Sequence, residues 1–329
     1  DAATLATRRR VSLPHDGVAG AWTFSHDGRW LAYQFSSALE PGDAWLCDVP
    51  SGMSLRLTSS PCAVDKSTLR APVLERYASF DGESIPVFAY LPDSPPGERV
   101  PVVAVIHGGP ESQARPAFGA VIAYLVARGY GVVVPNVRGS TGYGKRFHHL
   151  DDRRRRLDAV RDLAALHDWL AGREPFDAAR AALFGGSYGG YMVLSGLAYQ
   201  PERWAAAVDI VGVSNLATLL ENTSPWRRKY REREYGTLAE DREFLESIAP
   251  VTHAERIRAP LFMIHGANDP RVPLSESRQI HDALTRRGVP CELHVYADEG
   301  HGLQKLVNRL DAYPKAVAFL DANLAGPRA

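Results

Sequence analysis

The sequence has 329 residues, of which 45% are hydrophobic and 23% are charged, and this composition is that of a folded globular protein. Basic residues (Lys plus Arg) and acidic residues (Asp plus Glu) both number 38, so the formal net charge is zero. This balance gives no reason to expect nucleic acid or a membrane surface as a partner. No apolar run approaches the length of a membrane span.

The three cysteines, Cys47, Cys62 and Cys291, are too few and too scattered for a disulfide framework or a zinc site. They predict reduced thiols and a cytoplasmic location. No grouping of His, Cys, Asp and Glu has the spacing of a metal site, so we expect neither a metal nor a cofactor.

Residues 1–71 show the alternating pattern of short β-strands. The predicted turns are His26-Asp27-Gly28 and Pro50-Ser51-Gly52. Two such hairpins resemble one blade of a β-propeller, which needs roughly four to eight blades of about 40 residues each. We therefore expect this segment to be a remnant or a fragment of a propeller. A single blade leaves strand edges exposed, which predicts pairing with a second copy or with another chain.

From residue 72 to residue 329, strands alternate with helices, which predicts a doubly wound, mostly parallel sheet covered on both faces. An Asp81-Gly82 turn opens this region. The predicted strands include 100–106, 130–135, 181–184 and three further buried ones in 204–212, 259–266 and 291–300. The predicted helices lie in 118–129, 157–172, 191–200, 277–288 and 312–325.

The stretch "GGSYGG" places Ser187 between the strand "AALF" and an apolar helix. A turn with a serine helix cap would explain the serine but not the glycines two residues to either side, Gly185 and Gly189. The pattern G-x-S-x-G is that of the nucleophile elbow, in which small neighbours let strand and helix approach. Ser187 is the candidate nucleophile of an α/β-hydrolase fold.

A serine nucleophile needs a base and a group that orients the base, and in this fold they follow the serine in the order acid, histidine. Asp269 in "NDPRVP" and His301 in "DEGHG" both follow predicted strands. Other acids fit less well: Asp298 and Glu299 lie on the histidine's own loop, and Asp209 lies within a strand. His265 has the position of a packed, hydrogen-bonded residue.

Backbone amides are the expected donors to the oxyanion of the tetrahedral intermediate. One is the amide of Tyr188, which follows the nucleophile. The other comes from Gly108 or Gly109 in "HGGP", after the strand 100–106.

Five motifs in order, "HGGP", "PNVRGSTGYGK", "GGSYGGYM", "NDPRVP" and "DEGHG", resemble the prolyl oligopeptidase family of serine peptidases, with the acylaminoacyl peptidase branch nearest. The resemblance runs from Pro72 to the C-terminus. It implies Ser187 as nucleophile, Asp269 as orienting acid, His301 as base, and a β-propeller ahead of the hydrolase domain. His107 stands where some branches carry a tyrosine donor.

The family resemblance also suggests substrate contacts. Arg271 matches an arginine that holds a substrate carbonyl in some members, although it could equally form a structural ion pair. The candidates for an apolar specificity pocket are Val213, Leu216, Leu219 and Val272. Core packing explains these four residues equally well. If they form a pocket, we expect a preference for an apolar side chain or acyl group.

Two charged segments have ordinary explanations as well as functional ones. Residues 220–236 predict a solvated amphipathic helix, with a local lid over the site as the alternative. The run Arg153 to Arg156 is typical of a solvated helix start.

The predicted activity is cleavage of a peptide or acyl-amide bond through an acyl-enzyme. The same residues would serve an esterase or a biosynthetic acyl-transfer or tailoring hydrolase. A non-catalytic binding protein, with the β segment as docking surface, is the third hypothesis, and the three triad residues argue against it.

Overall fold

The computed structural model describes residues 4, 10–95 and 97–325. The chain forms two compact units. The first comprises Asp1–Val73, Tyr90–Asp93 and Arg115–Arg128, and the second comprises Leu74–Ala89, Ser94–Ala114 and Gly129–Ala329.

The first unit contains an antiparallel sheet of four strands in consecutive order: β1 (Val18–Phe24), β2 (Trp30–Ser37), β3 (Glu40–Asp48) and β4 (Met53–Arg56). Alternate residues of β2 are buried, so one face of the sheet packs a small core of Leu31, Tyr33, Phe35 and Cys47. Both predicted turns are confirmed, and four consecutive antiparallel strands are the arrangement of one propeller blade. The unit also contains helix α1 (Ala120–Ala127).

The second unit is built on an eight-stranded sheet in the order β12-β11-β10-β9-β7-β8-β6-β5. These strands are β5 (Val73–Ala78), β6 (Ser84–Tyr90), β7 (Val100–Ile106), β8 (Gly131–Pro135), β9 (Phe176–Gly186), β10 (Ala206–Ile210), β11 (Leu261–Gly266) and β12 (Cys291–Tyr296). Parallel pairing links β8 to β7, β7 to β9, and each following strand to the next as far as β12. The mostly parallel sheet is confirmed.

The helices that accompany this sheet are α2 (Lys145–His148), α3 (Arg156–Ala171), α4 (Tyr188–Tyr199), α5 (Leu216–Asn222), α6 (Pro225–Tyr235), α7 (Leu238–Ser247), α8 (Ser275–Thr285) and α9 (Leu306–Leu324). Short 3₁₀ turns occur at Lys66–Thr68, Arg153–Arg155 and Pro250–Arg256. None of the helices formed by the described residues combines the length and apolar character that crossing a bilayer requires.

The order of the strands determines where the sheet can hold a site. From β7 the chain moves to β8 on one side, and from β9 it continues through β10, β11 and β12 on the other side. Ligands in such sheets bind beyond the carboxyl ends of the strands where this order reverses. Here those ends are followed by the loops at Gly108 and Ser187.

Two expectations about the last elements are wrong in part. The strand in 291–300 is only half buried because β12 is the edge strand of the sheet. The last helix begins at Leu306, earlier than 312, and passes through Pro314. Its first turns carry three exposed apolar residues, Leu306, Val307 and Leu310. Because apolar residues there do not face the core, the sequence lacks the amphipathic pattern that would have marked the start of the helix.

Helix α7 was not predicted, although its sequence carries a start signal. Thr237 accepts a hydrogen bond from the amide of Glu240 through its side chain, which is the arrangement expected of a threonine cap. The pattern Thr-x-x-Glu at 237–240 was available in the sequence.

Candidate active site

The turn at Ser187 joins the end of β9 directly to the start of α4. Ser187 has φ 59° and ψ −118°, a backbone conformation that residues other than glycine rarely adopt. A Cβ atom on Gly185 would lie 2.4 Å from the carbonyl oxygen of Gly189, and one on Gly189 would lie 2.2 Å from that of Ile106. The glycine spacing is therefore a steric requirement of the turn, as the G-x-S-x-G pattern predicted.

Asp269 and His301 meet across two neighbouring loops, which follow β11 and β12. His301 Nδ1 lies 2.7 Å from Asp269 Oδ2. The other carboxylate oxygen, Oδ1, accepts hydrogen bonds from the backbone amides of Arg271, at 2.8 Å, and Val272, at 3.0 Å. With Nδ1 facing the carboxylate, Nε2 is the ring nitrogen that remains for a reacting group.

The charge of Asp269 is stabilised by these contacts. Burial by itself raises the pKa of the carboxyl group, but the hydrogen bond and charge of His301 and the two backbone amides together lower the pKa below its usual value. Asp269 is therefore ionised at neutral pH and accepts a hydrogen bond from the Nδ1–H of His301.

Ser187 and His301 line the same cavity, which has a volume of about 360 Å³. Its wall is formed by Gly108, Gly109, Glu111, Ser112, Ser187, Arg227, Arg231, Arg271 and His301. The structure thus brings together the predicted nucleophile, the predicted base, both candidate glycines and Arg271. Three of the lining residues are arginines, so the wall is strongly polar.

Both predicted sources of oxyanion donors lie close to Ser187. Tyr188 is the first residue of α4, where backbone amides have no partner within the helix. A Cβ on Gly108 would lie 3.5 Å from Ser187 Cβ, so the 107–110 loop runs alongside the serine. His107 is hydrogen-bonded through both nitrogens, to Gly108 O and Ser140 Oγ, and burial lowers its pKa. It serves to hold this loop.

This chain is similar to known proteins in both sequence and structure. Residues 116–327 match the sequence model of the prolyl oligopeptidase family. The chain is 31% identical to dipeptidyl aminopeptidase BIII of Pseudoxanthomonas mexicana over an alignment of 338 positions, gaps included, which covers 99% of this chain and 49% of that protein. It is 31% identical to the human acylamino-acid-releasing enzyme over 76% of this chain and 35% of that protein.

This chain belongs to the prolyl oligopeptidase family. A solved structure of a puromycin-hydrolyzing peptidase from Mycobacterium tuberculosis superimposes with a TM-score of 0.87 at 27% identity, covering 97% of this chain and 50% of that one. The α/β-hydrolase fold is thereby confirmed. The chain spans between about a third and a half of the length of these relatives.

The four aliphatic residues considered for a prolyl oligopeptidase-type specificity pocket are Val213, Leu216, Leu219 and Val272. Each is at most 3% exposed. They are absent from the described residues that line the cavity beside Ser187. Their burial agrees with the core-packing explanation, and an apolar pocket is not a feature of this cavity.

The other acids and His265 have structural surroundings. His265 is buried and bonded to Ser277 Oγ at 2.7 Å and to Val272 O at 3.0 Å, as expected of a packed residue. Asp298 pairs with Lys305, and Glu299 accepts hydrogen bonds from the backbone amides that follow the histidine loop. Asp209 is fully buried in β10.

The arginine run at 153–156 does not form the uniformly solvated helix start that was predicted. Arg153, Arg154 and Arg155 are exposed, but Arg156 is fully buried. Its guanidinium forms ion pairs with Asp151 and Glu234 and donates a hydrogen bond of 2.9 Å to the Tyr188 hydroxyl. The prediction is wrong for Arg156 because α3 begins at this residue and directs it inward.

The acids around Arg156 also account for a grouping that resembles a metal site. Among the described residues, oxygen atoms of Asp151, Asp152 and Glu234 lie within 4.8 Å of one another. Since the guanidinium already supplies the positive charge between Asp151 and Glu234, these carboxylates have a structural explanation and do not call for an ion.

Helix α6 contributes two arginines to the cavity that were not predicted as site residues, although a local lid in 220–236 was the alternative interpretation. Trp226 and Tyr230 on this helix are exposed, which fits the predicted amphipathic helix. Arg227 and Arg231, four residues apart and so on one face, line the cavity beside Ser187. That spacing is visible in "PWRRKYREREYG" and indicates that the two arginines lie on the same face of the helix.

Proposed function

We propose that this protein is a serine peptidase or amidase that cleaves peptide or acyl-amide bonds through an acyl-enzyme. The supporting observation is the Asp269–His301 pair, 2.7 Å apart, on the same cavity as a serine at a strained elbow. Membership of the prolyl oligopeptidase family supports the same chemistry.

In the first proposed step, Ser187 Oγ attacks the carbonyl carbon of the scissile bond while His301 Nε2 takes the hydroxyl proton. The oxygen of the tetrahedral intermediate carries the negative charge and is bound by the Tyr188 amide and by an amide of Gly108 or Gly109. Asp269 stabilises the imidazolium that forms.

In the second step, the intermediate collapses and the C–N bond breaks. The amine leaves with the proton that His301 returns to it. Water then attacks the acyl-enzyme while His301 takes a proton from it; as the bond from carbon to Ser187 Oγ breaks, His301 returns that proton to Ser187 and the carboxylic acid is released. No metal or cofactor is required for this sequence.

The proposal is tested with one neutral acyl group joined as a p-nitroanilide and as a p-nitrophenyl ester, each with and without an added N-terminal peptide. Anilide hydrolysis by the wild-type protein should fall by at least about 10³-fold in Ser187→Ala. Labelling by a fluorophosphonate should disappear in the same variant. Hydrolysis that persists in Ser187→Ala would contradict the assignment of the nucleophile.

The same substrates separate amidase from esterase chemistry. The triad and oxyanion donors serve both, so an esterase or acyl-transfer enzyme is the alternative. Ester cleavage without anilide cleavage would favour it. Absence of both activities, together with absence of fluorophosphonate labelling, would support the binding hypothesis instead.

We also propose the domain organisation and setting predicted from the sequence. Residues 1–71 are a propeller-like remnant or fragment, and 72–329 form the catalytic domain. The free cysteines Cys47, Cys62 and Cys291 favour a cytoplasmic location, which cell fractionation would test. The exposed Trp22 and Phe24 on β1 favour a second copy or another chain over the blade, which light scattering of the purified protein would test.

A further inference from the structure

The cavity beside Ser187 has a surplus of positive charge. Its lining residues include three arginines, Arg227, Arg231 and Arg271, and one acid, Glu111. Asp269 lies behind the cavity, but its two carboxylate oxygens already accept bonds from His301 and from two backbone amides. The charges of Glu111 and Asp269 therefore offset at most two of the three guanidinium groups.

One of the three arginines is already neutralised. Arg231 is mostly buried, forms an ion pair with Glu111 at 2.8 Å and donates a hydrogen bond of 2.8 Å to the carbonyl oxygen of Gly109. It joins α6 to the loop that flanks Ser187. Arg231 is thus a positioning residue for the loop of Gly108 and Gly109, and its charge is used within the protein.

Neither of the other two arginines forms an ion pair with an acid among the described residues. Across residues 10–95 and 97–325, no carboxylate forms an ion pair with the guanidinium of Arg227 or Arg271. Arg227 is half buried; burial and the positive charges of Arg231 and Arg271 lower the pKa of its guanidinium, and the opposing effects of Tyr235 and Asp269 offset this only in part. It nevertheless remains charged at neutral pH, so the protein holds an unneutralised, partly desolvated cation on the wall of the site.

The position of this cation is set by the loop that carries the orienting acid. The hydroxyl of Thr223 donates a hydrogen bond of 2.9 Å to the carbonyl oxygen of Arg271. The hydroxyl of Ser224 donates one of 3.0 Å to the carbonyl oxygen of Pro270. These two bonds fix the start of α6 against the 269–272 loop. Arg227 and Arg271 are therefore held at one cavity, rather than meeting there by chance.

We propose that Arg227, together with Arg271, binds a carboxylate group of the substrate close to the scissile bond. The substrates would be peptides or acyl-amides that carry either an acidic side chain or a free C-terminal carboxylate. A guanidinium binds a carboxylate through two parallel hydrogen bonds, and such bonds are strongest where water is partly excluded. This inference rests on the proposed function, whose site it uses.

The test uses pairs of compounds that differ by one charge. Acetyl-Glu p-nitroanilide and acetyl-Gln p-nitroanilide test an acidic side chain on the acyl side. Acetyl-Leu-Gly and acetyl-Leu-glycinamide test a terminal carboxylate on the leaving side. The measured quantity is the ratio of kcat/KM for the charged and neutral member of each pair, in wild type, Arg227→Gln and Arg233→Gln.

Arg233→Gln is the matched control because Arg233 lies on the same helix, is exposed and is absent from the described residues that line the cavity. We expect a ratio of about ten or more in at least one pair for the wild type, as a charge-assisted contact would give. The ratio should fall to near one in Arg227→Gln and stay unchanged in Arg233→Gln. It should also decrease as salt is raised.

Binding of the same pairs to Ser187→Ala keeps the inference testable without turnover. A charged member that binds about tenfold more tightly, with the difference lost when Arg227→Gln is added, supports the proposal. Equal binding, or a preference that survives Arg227→Gln, overturns it. Failure of the proposed function looks different: the neutral anilide then shows no Ser187-dependent hydrolysis, whatever the charge ratio.

Discussion

Replacing Arg156 with methionine should destabilise the second unit far more than the same change at Arg153. Arg156 is fully buried and is held by Asp151, Glu234 and the hydroxyl of Tyr188. Its guanidinium also lies 5.3 Å and 5.0 Å from the ring centres of Tyr188 and Tyr235. Methionine fills similar space but leaves two buried carboxyl groups without a cation.

The size of the effect follows from those two acids. Breaking a buried ion pair by removing one partner costs about 3–5 kcal/mol of unfolding free energy. Burial raises the pKa of Asp151 even though the charge of Arg156 opposes this shift, so protonation of Asp151 relieves part of the cost at pH 7. We therefore expect a loss near the lower end, about 3 kcal/mol, at that pH.

The loss should depend on pH in a defined direction. Without Arg156 the folded state favours protonated Asp151 still more, so the pKa of this carboxyl rises further above that of the unfolded chain. The protonated carboxyl then contributes fully to the unfolding free energy of the variant below the unfolded pKa, near 4. This contribution decreases as the pH rises above that value. The difference between variant and wild type should grow from pH 5 to pH 8.

The assay is urea unfolding followed by tryptophan fluorescence at several pH values, with Arg153→Met as control. Arg153 is exposed, so its replacement should change the unfolding free energy by less than about 0.5 kcal/mol. Because Arg156 holds the phenol of Tyr188, we also expect a lower kcat with a smaller change in KM. Equal, small effects of the two substitutions at every pH would refute this reasoning.

Two further substitutions test the site and the sheet. Asp269→Asn should lower kcat by about 10⁴-fold because the amide can no longer stabilise the imidazolium, and the thermal unfolding midpoint should change little. Activity retained within tenfold would contradict the role of Asp269. Burial raises the pKa of Asp209 to about 8. The contribution of protonated Asp209 to the unfolding free energy is therefore present in full below the unfolded pKa and is lost as the pH rises through about 8. Asp209→Asn should therefore flatten the fall in unfolding free energy between pH 5 and pH 8, measured by urea midpoints, whereas an unchanged slope would show that Asp209 does not titrate in this range.

The elements that the sequence predicted are those with a local physical signature. The elbow could be recognised because Gly185 and Gly189 are required by contacts of the turn with nearby backbone. Asp269 and His301 could be proposed because the fold places its catalytic groups after successive strands, and strand–turn boundaries are visible in the chain. Parallel strands buried on both faces likewise read as continuous apolar runs.

What the sequence left open depends on partners far away along the chain. Four consecutive arginines look alike in the sequence, and only packing against Tyr188 and Glu234 sets Arg156 apart from the other three. Val213 and Leu216 suited a pocket or a core equally well, and the structure buries them.

The polar character of the cavity was also decided by tertiary structure. Arg227 and Arg231 are more than thirty residues from Ser187 and from Asp269, and the hydrogen bonds of Thr223 and Ser224 to the acid loop bring their helix to the site. The sequence by itself determined the groups that can react, because strand ends and glycine turns are local features. Which charges surround those groups was decided only by folding, because burial and ion pairing are set by the packing of distant elements.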